Sequence, residues 1–490
     1  MNSRQTLALA CCFLALLGCR PRPPAPFDGS GPQLAEELAL VRSALEEGHP
    51  GLHRYASKAT VDSAFDAALT EIREPMSLRE FQKLLSRTVG SVRDGHTVVL
   101  MPKDSLDRLD GGATATPFRV LVRDGELFVR NNLSDLPERG FLGAHIVSIQ
   151  GHSVAEFLAE YRAIAPVEAR NQTRAPRLLE SARMLTRYLA ILYGIRESYA
   201  VSYVPHGDTV ARQITLAAIP YDELVRRRAT RYPAEASGPP AEFTFLPGGH
   251  IGRLRITSFD RDQLRDRKID FGRFLDESFQ RLHTEGASGL VLDLRDNGGG
   301  TDEFGALVAR HLIGRDFAYY AGLRMNKIKY DFFAHTSNAK GFRAPRGFAR
   351  VRPGGGFDVV RHPNLGTLHP AEPVWTGPLV VLLNGRSFST TTELISVLAE
   401  NTHARFVGEE GGGAFGGNCS GPTPTLELPY SRLRVEIPLV RYEMAVSGRR
   451  PLDRGLIPDL EVLPTVEDVV ARRDAELEAA VKMLSPPPGR

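Results

Sequence analysis

Three short segments hold residue types that could act together as nucleophile, base and oxyanion support. They are Asp94-Gly95-His96-Thr97, Asp293-Leu294-Arg295-Asp296-Asn297-Gly298-Gly299-Gly300, and Asn384-Gly385-Arg386-Ser387-Phe388-Ser389-Thr390-Thr391-Thr392-Glu393. Ser389 precedes a helical run, where unpaired N–H groups and the helix dipole favour negative charge. That suits a nucleophile whose intermediate is an anion. The same loop also reads as simple capping, because Thr390-x-x-Glu393 has capping-box spacing. Three consecutive glycines can turn N–H groups toward an oxyanion, or can serve only as a tight turn from strand to helix. No Gly-Lys-Ser/Thr follows them, so a phosphate-binding P-loop is not supported. His96 has the near-neutral pKa of a general base, or is a hydrogen-bonded structural histidine. Taken one at a time, the structural readings suffice.

Metal binding is not expected. His49 and His53 are four apart, but Pro50 and Gly51 break the helix that would align them, and Cys419 has no CxxC companion.

The elements that must position these segments fall into two patterns. After about residue 240, strands alternate with helices. Ile251–Phe259 reads as a strand, Gln263–His283 as a helix, Gly289–Leu294 as a buried strand and Asp302–Leu312 as a helix. Leu379–Leu383 (strand), Thr391–Glu400 (helix) and Arg405–Val407 (strand) repeat the alternation. This predicts a largely parallel α/β core, with both loops at the carboxyl ends of strands, where sites of such sheets lie. Before it, Leu34, Leu38, Val41 and Leu45 begin a helical module that runs to about Val92 and is interrupted at His49-Pro50-Gly51. Phe118–Val129 alternates as a strand, Gly143–Gly151 is a strand closed by a turn, and Val154–Ile164 and Arg177–Tyr193 read as helices. Tyr199–Val204 is a strand, and Arg226–Pro240 reads as a linker. Residues 315–371 show no clean period, and no internal repeat is present.

The 490 residues are 42% hydrophobic and 24% charged, enough for two to four globular units. Sixty-one Lys+Arg against 58 Asp+Glu leave a net charge of +3 with no basic stripe, so nucleic acid is not an expected partner. At the start, a basic Met1–Arg4, an apolar Leu7–Leu17 and the ending Leu16-Leu17-Gly18-Cys19 form a signal peptide. The ending resembles a bacterial lipoprotein signal, which implies acylation at Cys19. Arg20–Pro32 contains five prolines and reads as a tether.

Together, the helical module, Asp94–Thr97, the strand and turn Gly143–Gly151, the two loops and Gly408–Gly413 resemble the C-terminal-processing peptidase and tricorn-core family of serine peptidases. The resemblance runs from about Leu34 to Val462 and is strongest at Gly289–Gly300 and Leu379–Gly413. It implies an α/β fold: a ClpP/crotonase-like catalytic core with a helical N-terminal module and a PDZ-like α+β domain. The implied division is 1–18 signal peptide, 19–32 tether, 33–97 helical module, 98–225 PDZ-like domain, 226–240 linker, 241–465 core, and 466–490 C-terminal helix and tail. Ser389 would be the nucleophile, and the N–H groups of Thr390 and of Gly298 or Gly299 the oxyanion hole. Many members use a Lys base in the loop after the next strand, but no Lys occurs between Lys340 and Lys482, and Arg stays protonated. His96 is then the expected base, as in tricorn-like members, with Asp453 as its expected orienting partner. Gly95 replaces the serine that such members place before the histidine. The implied partners are a peptide or protein substrate and, through Cys19, the membrane of a bacterial cell envelope; no cofactor is implied. Two rivals are a catalytically silent peptide- or lipid-binding lipoprotein and a crotonase-type acyl-thioester enzyme. Coenzyme A binding would mark the latter.

Overall fold

Leu379–Leu383 and Gly289–Asp293 are buried at every position, as befits strands covered on both faces. They are the central pair of a six-stranded sheet in the computed structural model, which describes residues 27–72, 75–233, 238–336 and 345–485. The signal peptide, Cys19 and most of the tether expected from the sequence lie outside these residues. The sheet order is Ala241–Phe245, Ile251–Ile256, Gly289–Asp293, Leu379–Leu383, Arg405–Gly408, Leu460–Glu461. The first pair is antiparallel and the rest parallel. Side chains alternate between faces. Leu290, Leu292, Val381 and Leu383 join the large core cluster, while Val291, Val380, Leu382 and Val407 pack with Ala480 of the C-terminal helix Ala475–Leu484.

Helices Gly31–Gly48, Lys58–Glu71 and Leu78–Gly90 form the N-terminal module. Ser57 and Ser77 cap the second and third. Their apolar faces belong to the same hydrophobic cluster as the parallel sheet, so module and core are packed as one body. Buried Glu37 adds to the join by accepting the N–H groups of Tyr430 (2.6 Å) and Ser431 (2.8 Å).

Between them lies an antiparallel sheet of Phe118–Arg123, Glu126–Asn132, His145–Ile149, Ser198–Val204 and Arg212–Ala217. With helices Val154–Ile164 and Ala182–Tyr193 it has a hydrophobic cluster of its own. Four expectations change. The single strand 118–129 is a hairpin turned at Asp124-Gly125, both at positive φ. The helix 177–193 is two helices, Arg174–Leu179 and Ala182–Tyr193, because Arg119 Nε takes the Glu180 carbonyl and Ser181 is extended. The helix 263–283 is also two, Arg261–Asp266 and Phe271–Thr284, parted at left-handed Lys268 and restarted by the Asp270 cap. The start of the expected linker is helical, Tyr221–Arg231, anchored by buried Leu224. Residues 315–371 contribute short strands, Tyr320–Met325, Ala349–Val351 and Phe357–Val359, to a five-stranded sheet completed by Cys419–Ser420 and Val440–Met444.

Candidate active site

The strand Leu379–Leu383 delivers the Ser389 loop, and the neighbouring strand Gly289–Asp293 delivers the glycine loop. Asn384 and Asp296 tie the two together, with Asp296 N donating to Asn384 Oδ1 (3.1 Å) and Asn384 Nδ2 to Asp296 Oδ1 (3.2 Å). Phe388 N then donates to Asn297 O (3.0 Å). Ser389 sits at φ 58°, ψ −128°, a conformation costly for a side-chain residue, directly before helix Thr390–Asn401. The capping box does not form. The Thr390 hydroxyl donates instead to Gly300 O (2.8 Å), and Glu393 Oε1 accepts from Asn418 Nδ2 (2.8 Å). Ser389 Oγ is therefore free for another contact.

That contact is His96 Nε2, at 3.0 Å. The two residues are 293 positions apart, and the histidine arrives from the junction after helix Leu78–Gly90. Its ring stacks on Phe388, with centroids 4.5 Å apart, and the Arg174 guanidinium lies 3.2 Å from the Phe388 centroid. The close packing explains Gly95, since a Cβ there would meet Phe388 Cζ at 2.8 Å and Glu168 Oε2 at 3.1 Å. Burial pushes the His96 pKa down to about 4, against the pull of the Asp94 carboxylate. The ring is thus neutral at neutral pH and can receive a proton.

Of the two glycines read as oxyanion donors, the structure favours one. Gly299 N donates to Asn297 Oδ1 (2.9 Å) inside its own turn. Its φ of +99° and the 2.7 Å approach of a would-be Cβ to Ser389 Cβ make it a close-packing glycine. Gly298 is exposed to the cleft and lines it beside Ser389 and Thr390. Thr390 N is the first helical N–H and has no intrahelical acceptor.

Asp453 is not brought to His96. Its half-exposed carboxylate pairs with Arg170 (2.6 Å), and its carbonyl accepts Arg170 N–H (2.9 Å). The short Arg170 segment captures it at the surface. Besides Asp94, the carboxylate beside His96 is Glu168, which no pattern in the sequence marks. Glu168 Oε2 accepts the Gly95 N–H (2.7 Å), and Ala169 N–H reaches Arg93 O (2.8 Å), pinning the two segments together. Ligand atoms of Asp94, His96 and Glu168 lie within 4.8 Å of one another. Glu168 Oε1 and His96 Nδ1 are both buried without a hydrogen-bond partner. Burial first, and the Asp94 charge next, raise Glu168 to about 8. Burial also works against the Asp94 carboxylate, but His49 and His96 hold it below its ordinary value. In the sequence Glu168 is one acid in an irregular stretch after helix Val154–Ile164, and only tertiary folding gives it a neighbour.

His49, Asp94 and Cys419 also converge, buried, within 4.8 Å. They fit a metal poorly. His49 Nδ1 accepts the Gly51 N–H (3.1 Å), which puts the imidazole proton on Nε2, the nitrogen 3.5 Å from Asp94 Oδ2. A ring that turns N–H toward the cluster orients Asp94 and offers no lone pair to a cation.

The cleft over Ser389 has a volume of about 690 Å³. Residues 250–462 match the family model described as peptidase family S41. The chain carries an S41 peptidase core. No curated protein matches the sequence. Among solved structures, mature CPAF aligns at 15% identity over 93% of this chain and 96% of its own, with a TM-score of 0.60. CPAF complexed with lactacystin aligns at 14% identity over 93% and 98%, with a TM-score of 0.61. A serine-to-alanine mutant of CPAF aligns at 15% identity over 93% and 96%, with a TM-score of 0.63. At these identities the likeness is one of fold. It spans the N-terminal helices and the middle sheet as well as the S41 core, and S41 membership makes the core that of a serine peptidase.

Proposed function

We propose that this protein hydrolyses peptide bonds with Ser389 as nucleophile and His96 as general base. The observation that carries the reading is the 3.0 Å contact between Ser389 Oγ and Nε2 of a neutral, partly buried His96. His96 takes the hydroxyl proton as Ser389 attacks the scissile carbonyl, then passes it to the leaving amine. The N–H groups of Gly298 and Thr390 receive the oxyanion. Glu168 takes the place foreseen for Asp453: its Oε1 and His96 Nδ1 are both buried without a hydrogen-bond partner, and ligand atoms of the two residues lie within 4.8 Å, close enough for the ionised carboxylate to orient the imidazole.

The substrate is a peptide or protein chain reaching the cleft from solvent. The lipoprotein-like Leu16-Leu17-Gly18-Cys19 and the proline-rich stretch after it support a lipid-anchored enzyme of a bacterial cell envelope, tethered through Cys19. The PDZ-like assignment of 98–225 rests on the sequence resemblance and on an antiparallel sheet packed with two helices.

A fluorophosphonate probe tests the mechanism. An adduct on Ser389, located by peptide mass spectrometry and lost in Ser389→Ala and His96→Ala, is expected. A folded protein with no adduct would overturn the reading.

A further inference from the structure

Behind the two catalytic loops, away from the substrate cleft, a second cavity of about 270 Å³ lies where the middle sheet, the core and the C-terminal segment meet. Nine arginines and six carboxylates line it, and Glu409, Glu242 and Glu138 pair with Arg177, Arg255 and Arg472 from beyond the lining. Arg177 is the most buried of these arginines. Its Nε goes to Glu409 and its Nη1 to Glu180 (2.9 Å), while its Nη2 is buried with no acceptor. Arg253 gives Nη2 to Asp293 (2.6 Å) and keeps a buried Nε without an acceptor. Unused guanidinium donors away from water are costly, and oxyanion oxygens are the acceptors that match their fork geometry.

We propose that this cavity is a binding site for a compact polyanion of the phosphoryl class. Its volume falls just below the roughly 300–1,000 Å³ of drug-sized sites, which suits linked phosphoryl groups without a large organic body. Asp296 and Asn384 also line it. They are the residues that tie the Gly298 loop to the Ser389 loop, so an occupant braces both from behind. It also bridges Arg177 of the middle domain to Arg253 and Arg295 of the core, making domain docking sensitive to the ligand.

Inorganic pyrophosphate titrated into the full chain in detergent, followed by calorimetry and thermal melting, tests this without reference to peptidase activity. Saturable binding is expected, weakening with added salt, stronger than for sulfate, and accompanied by a rise in Tm. Arg253→Gln is expected to weaken it about tenfold or more. Arg177→Gln serves as a second variant if its melt shows that it folds. Two results would overturn the proposal: no saturable binding by the wild type, or binding that does not distinguish pyrophosphate from sulfate and is unchanged in Arg253→Gln.

Discussion

Glu168 and His96 lie close together beside Asp94, whose charge acts on both. Near neutral pH Glu168 holds its proton, and a neutral carboxyl does little to stabilise an imidazolium. As pH rises through about 8 it ionises, and its carboxylate then favours both the Nδ1–H tautomer and the charged ring formed during attack. The rate of Ser389 labelling or turnover should therefore climb through a limb near pH 8. His96, lowered to about 4, is already neutral throughout that range and does not produce the limb. Glu168→Gln should abolish it and cut the alkaline rate by roughly 10²-fold. Stability should move the other way. A carboxyl whose folded pKa is raised contributes stability below its unfolded pKa, and that contribution is lost as pH rises through the folded value. Above pH 8 the ionised Glu168 is a burden on the fold, so Glu168→Gln should melt higher there while being less active. A variant that lost activity and Tm together at pH 9 would mark Glu168 as purely structural.

The segment that carries Glu168 is irregular, and its attachment to the core is what places the carboxylate. Asn171 Nδ2 donates to Gly411 O (2.6 Å), and its Oδ1 accepts Arg174 N (2.8 Å). Thr173 Oγ1 reaches Glu410 O (2.7 Å), and Asp453 holds Arg170 at the rim. Asn171→Ala removes one buried bond across the join and one that starts helix Arg174–Leu179, at a cost of about 1–3 kcal/mol. It should lower the urea midpoint and the alkaline labelling rate together, while leaving the Ser389 adduct detectable. An unchanged alkaline rate would separate this strap from Glu168. These contacts also mark where sequence reading ends. The buried strands, the helices Val154–Ile164 and Asp302–Leu312, Ser389 and His96 were legible because periodicity and loop chemistry are local properties. The breaks at Glu180 and Lys268 were not, because a distant Arg119 and a single left-handed residue decide them. Glu168 was hidden for the same reason: its chemistry comes from Gly95 and His96, more than 70 positions away. Asp453 had the right residue type in the wrong place, since nothing in the chain order shows that Arg170 claims it.

At the scale of the molecule, the proposed machinery is drawn from parts with different mechanical ties. His96 follows a helical module that shares one hydrophobic cluster with the sheet bearing Ser389, so their contact should persist until that cluster breaks. Glu168 belongs to the middle domain, which has its own cluster and can loosen as a separate unit. Urea should therefore remove the two contributions in order. The single tryptophan, Trp375, is buried in the shared cluster and reports on it alone. At pH 9, the wild-type labelling rate should first fall to the Glu168→Gln level while Trp375 fluorescence is unchanged. The residual Ser389 labelling should then disappear with the Trp375 transition. In Glu168→Gln only the second step should remain, coincident with the fluorescence change. If labelling of Glu168→Gln vanished well before that change, His96 and Ser389 would not be joined by the shared cluster, and the module would have to be a separately docked domain. Coincidence would instead mean that the base and nucleophile are held together as rigidly as the core itself, so that loosening of the middle domain tunes the site through Glu168 alone.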